Sequence, residues 1–106
     1  MSRGPDAGTL LVRALYRDSC RAGCPLEIVD ADWVRWASAT FTGARHALRW
    51  TALPGAALET WLAALPDADL PLRGHLLADI VVAGLRRTPE LMTIEIEALT
   101  LEDLPR

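Results

Sequence analysis

The most regular feature of the chain is a strict alternation of apolar and polar positions over residues 91–101. Met92, Ile94, Ile96 and Ala98 fall on one side, and Thr93, Glu95, Glu97 and Leu99 on the other. Side chains of an extended strand point to opposite faces in turn, so this pattern predicts a strand with one face buried. Residues 75–83 repeat it, with Leu76, Ala78, Ile80 and Val82 on one side. A turn over 84–89, containing Arg86-Arg87, would join the two strands. A third and fourth strand are predicted in 33–50, on either side of Thr42-Gly43, because a glycine suits a two-residue turn where φ becomes positive. That turn sets a register. Phe41 faces Ala44, Ala39 faces His46, Ala37 faces Leu48 and Arg35 faces Trp50, all on the apolar side. The other side carries Thr40 with Arg45, Ser38 with Ala47, Trp36 with Arg49 and Val34 with Thr51. Trp36 and Arg49 would make a cross-strand cation–π contact.

The periodicity changes in 54–65. Leu58, Trp61, Leu62 and Leu65 recur at helical spacing, which predicts a helix with one apolar stripe, Pro54 at its first position and Pro66 ending it. A second helix is expected over 9–22. Leu11 and Leu15 share a face, Arg13, Arg17 and Arg21 form a solvated stripe, and Gly23 followed by Pro25 is a stop signal. Leu10, Val12, Ala14 and Tyr16 also alternate, so a strand over 10–17 is the competing reading. Residues 26–29 suit a short strand, 30–32 (Asp-Ala-Asp) a turn, 67–74 a loop, and 1–8 a flexible tail ahead of a single domain over 9–106. The predicted fold is therefore α+β: a mostly antiparallel four-stranded sheet, built from two hairpins joined by a helix, covered on one face by helix 54–65, with an additional N-terminal helix.

With 106 residues, the chain has room for one domain, and 51% hydrophobic residues exclude a disordered chain. All eleven basic residues are arginine, and lysine, asparagine and glutamine are absent. That bias is the one expected of a GC-rich bacterial genome. The net charge of −3 shows no basic concentration of the kind nucleic-acid binding needs. The opening residues, MSRGPDAG, lack the apolar core expected of a secretory signal, and the longest apolar run, 76–85, is interrupted by Asp79 and far too short to span a bilayer. A cytoplasmic location is expected, with Cys20 and Cys24 as reduced thiols.

Candidate chemistry is sparse. Arg45, Arg49, Asp79, Glu95 and Glu97 are expected on the polar face of the sheet, with His75 on the face of Asp79; cross-strand ion pairs are their ordinary explanation. His75 and Asp79 lie about 13 Å apart along a strand, too far to form a dyad. Cys20 and Cys24, spaced C-x₃-C, would need His46 and His75 from distant strands to make a zinc set, so no metal is expected. The two Asp-Ala-Asp segments lack the further oxygen ligands of a calcium loop. The glycines build no phosphate loop, Ser19 and Ser38 lack a nucleophile elbow, and no cofactor is implied.

Two functional readings follow. Trp36, Leu77, Val81 and Leu99 make the second face of the sheet partly apolar, so that either the N-terminal helix or another subunit must cover it. The first reading is an interaction or scaffold module forming a homodimer through that face or an edge strand. The second is a small-molecule binder or minor enzyme, with a pocket between helix 54–65 and the hairpin that uses His46, Trp50 and Trp61 and has Arg45 or Arg49 at the rim.

Overall fold

A computed structural model describes residues 6–102. Helix α1 (Ala7–Arg21) leads into a hairpin of β1 (Glu27–Ala37) and β2 (Thr42–Ala52). Helix α2 (Ala56–Ala64) and a 3-10 turn (Leu65–Asp67) follow, and then a hairpin of β3 (His75–Arg87) and β4 (Met92–Glu102). All neighbouring strands are antiparallel, in the order β1-β2-β4-β3. The α+β fold expected from the pattern is present. The tail expected over 1–8 lies mostly outside the described residues.

Both helices lie against the same face. Leu11 and Leu15 of α1 and Leu58, Trp61 and Leu62 of α2 join Leu48 and Trp50 of β2 and Ile94 and Ile96 of β4 in one core. The hydrophobic effect explains the placement: each helix has one apolar stripe, and the central strands have one apolar face to receive it. α1 is a helix, and the competing strand over 10–17 is absent. It starts at Asp6, whose carboxylate accepts from Thr9 N–H at 2.8 Å. It ends in a Schellman motif, with Gly23 at φ +84°, Gly23 N–H on Cys20 O and Cys24 N–H on Ser19 O. Ser19, fully buried, then accepts from Leu26 N–H at 3.1 Å and so fixes the link to β1. α2 begins one residue after Gly55, so Pro54 precedes the helix rather than opening it; Pro66 falls in the 3-10 turn.

The first hairpin reverses earlier than the sequence suggests. Ala37 pairs with Thr42, and the loop is 38–41. Ser38 N–H donates to Phe41 O at 2.8 Å, while Ser38 Oγ accepts from Thr40 and Phe41 N–H. Gly43 is inside β2 at a non-positive φ, so it is no turn glycine. A Cβ there would lie 1.9 Å from Thr100 O, so close approach by β4 is what demands glycine. The register differs from expectation by six residues: His46 faces Trp33, and Leu48 faces Ala31. Because six is even, β2 keeps its expected facing. Ala44, His46, Leu48 and Trp50 are buried, while Arg45 and Arg49 are exposed. Trp36 faces Gly43 and Arg49 faces Asp30, so the expected Trp36–Arg49 pair does not form. The segment 30–32 is strand rather than turn, part of one long β1 that replaces the short strand over 26–29.

The second hairpin uses the same loop device. Thr88 N–H donates to Leu91 O, and Leu91 N–H donates to Thr88 Oγ1, both at 3.0 Å. β3 therefore continues through Arg87, past the turn expected over 84–89. It is irregular between Leu77 and Asp79 and between Val82 and Gly84. Each bulge inserts a residue and exchanges the two faces. Leu77, opposite buried Thr100, turns inward, and Leu76 turns out; the alternation alone implies the reverse. His75 and Asp79 likewise fall on opposite faces.

Candidate functional site

With both helices on the inner face, no element among the described residues covers the outer face of the sheet. The register sorts it into rows running from β1 to β3. One row is Trp36, Gly43, Leu101 and Leu76, and the next is Val34, Arg45, Leu99 and Asp79. Beyond them come Asp32, Ala47, Glu97 and Val81, and then Asp30, Arg49, Glu95 and Gly84. One end is thus apolar and the other charged. Arg49 and Glu95 form an ion pair at 3.3 Å with both side chains half exposed, which leaves it weak. β4 lies between β2 and β3, so Asp79 is separated from Arg45 by Leu99. Arg45, Asp32, Asp79 and Glu97 have no ion-pair partner within 4.0 Å among the described residues. They border a shallow concavity of about 460 Å³ together with Val34 and Leu99. Val34 is 60% exposed and Leu76 54%.

The inner-face candidates are packed residues. His46 is 3% exposed, and its Nε2 lies 2.9 Å from Thr100 Oγ1. Its Nδ1 is buried without a partner among the described residues. Burial pushes the imidazole below its ordinary pKa; Asp6 pulls the other way and His75 adds to the depression. Trp50 is fully buried, and its indole N–H has no partner among the described residues. Trp61 donates its indole N–H to Asp18 Oδ2 at 2.8 Å. The structure therefore brings His46, Trp50 and Trp61 to the underside of the sheet, while Arg45 and Arg49 project from the opposite face. Sequence pattern does not single out Thr100 or Asp6, and it puts Leu76 on the inner face, because their roles depend on partners on other elements.

Cys24 is buried, and its thiol is pushed up chiefly by that burial, with Asp18 adding to the effect; Cys20 is exposed. Among the described residues no three His, Cys, Asp or Glu side chains are grouped so as to hold a metal ion. Ser19 and Ser38 serve the α1–β1 link and the first loop, respectively. No helix among the described residues is long and apolar enough to cross a membrane. No family model, curated protein or solved structure matches this chain.

Proposed function

We propose that the chain is an interaction module that forms a homodimer through the open face of its sheet. The observation carrying this reading is the apolar end of that face, where Val34, Trp36, Leu76, Leu99 and Leu101 gather and neither helix lies over them. Four strands about 4.8 Å apart, each at least eleven residues long, offer roughly 19 by 36 Å, or ~700 Å². A standard interface takes ~800 Å² from each partner, so the whole face would have to take part. A two-fold pairing would also bring Arg45 of one copy towards Asp32, Asp79 and Glu97 of the other, which have no ion-pair partner among the described residues. The cytoplasm is the compartment that suits this module, with Cys20 and Cys24 as thiols. A small-molecule pocket beneath α2 is the weaker reading, since Trp50 and Trp61 fill that space themselves.

Light scattering on a sizing column at tens of micromolar tests the proposal. Twice the chain mass is expected, falling to the chain mass in a Val34→Arg, Leu76→Arg variant that keeps its circular dichroism. A monomer in the unmodified protein would refute it.

A further inference from the structure

His46 sits where a positive charge is hard to hold. It lies on the inner face of β2 beneath the first turn of α1, where a Cβ on Gly8 would be 3.8 Å from Nδ1 and 3.6 Å from Trp33 Cδ1. The turn of α1 that lies against the ring is its first, the positive end of the helix dipole. Nε2 is occupied by Thr100, and Nδ1 is buried with no hydrogen-bond partner among the described residues. The charged groups around it can be named element by element. From α1 comes Asp6, which is exposed and already accepts from Thr9 N–H. From β3 comes His75, a second basic ring, paired in register with Glu102 of β4. From β1, Arg35 is one inner-face step beyond Trp33. Of these groups, Asp6 and Glu102 are the acidic ones, and they oppose the basic His75 and Arg35.

We propose that His46 is an acid-sensitive latch for α1: neutral, it lets the helix rest on β2, and protonated, it drives the helix off the sheet and withdraws Leu11 and Leu15 from the core. The sign follows from linkage. With α1 released, His46 meets water and titrates near the ordinary ~6.5, whereas docked it titrates lower. The released form therefore takes up the proton first, and docking weakens as pH falls below ~6.5. Each unit between the two pKa values is about tenfold in the docking equilibrium.

Amide hydrogen exchange at pH 7.5 and 5.5, corrected for the intrinsic rate, tests this with β4 amides as the internal reference. The protection of α1 relative to β4 should fall at the lower pH, by up to about tenfold. The ring-proton shift of His46 should titrate over the same range. The pH dependence should persist in His75→Gln and vanish in His46→Leu. Should His46→Leu fail to fold, the coincidence of the His46 titration with the loss of α1 protection decides the matter. The latch is overturned if the ratio does not change with pH, if α1 and β4 lose protection together, if the ring titrates while α1 stays protected, or if His75→Gln abolishes the effect.

Discussion

The indole N–H of Trp61 donates to Asp18 Oδ2 at 2.8 Å, joining α2 to α1 across 43 positions of sequence. The two helices share the inner face of the sheet, and this bond fixes their spacing where the apolar stripes meet. A hydrogen bond to a carboxylate contributes about 1.5–3 kcal/mol. The lower end applies here, since Asp18 keeps 32% of its side-chain exposure. Asp18→Ala and Trp61→Phe should each lower the urea-unfolding free energy by about 1–2 kcal/mol. The double variant should lose less than the sum, because the second change finds its partner already gone.

Gly43 and Gly55 should respond in opposite directions. A methyl on Gly43 meets the backbone of β4, with Thr100 O at 1.9 Å and Thr100 C at 3.0 Å. Gly43→Ala should therefore cost about 3 kcal/mol or more, since a central strand must move. Gly55 is the N-cap of α2, with extended backbone, no side-chain cap and nothing within 4 Å of a Cβ. Gly55→Ser should be neutral or stabilise by a few tenths of a kcal/mol, because serine supplies the missing acceptor at little change in preference. Thermal melts of the two variants would show the contrast.

The two hairpin loops should contribute independently. Ser38 and Thr88 use their hydroxyls in the same way, and their loops lie at opposite ends of the sheet. Ser38→Ala and Thr88→Ala should each destabilise by about 0.5–1.5 kcal/mol, with the double variant close to the sum in chemical denaturation.

Asp6 should make α1 acid-sensitive at a lower pH than His46 does. Its hydrogen bonds to Thr9, together with the nearby imidazoles, hold its carboxyl below the usual range. A depressed carboxylate stabilises the fold above its unfolded pKa, and that contribution fades as pH falls through the folded one. Asp6→Ala should cost about 1 kcal/mol at neutral pH, as loss of an N-cap does. The difference from the unmodified chain should shrink below pH ~4. Unfolding free energies at pH 7 and pH 3 would measure it.

Much of the local structure was legible in the residues. Met92, Ile94, Ile96 and Ala98 alternate without interruption, and β4 carries no bulge in its pairing with β2, so local pattern and final facing coincide. Leu58, Trp61, Leu62 and Leu65 are buried as their helical spacing implies. Gly23 caps α1 because a positive φ at that place leaves few alternatives. Gly43 shows the limit. A glycine required by a turn and one required by a neighbouring backbone look identical in sequence, and only β4 distinguishes them.

The residues by themselves determined what each segment is: two helices with apolar stripes, and strands whose inward sides on β2 and β4 follow from alternation. The tertiary structure decided how the segments meet. It set the first hairpin six residues from its expected register, turned Leu77 inward and Leu76 outward through a bulge, and inserted β4 between β2 and β3 so that Arg49 meets Glu95. It also placed both helices on the inner face, so that neither covers the outer one, and brought Asp6 close enough to His46 to influence its charge. The reason is physical. Helical spacing and strand alternation are properties of residues close along the chain, whereas register, bulges and strand order are chosen by the burial and pairing of residues far apart.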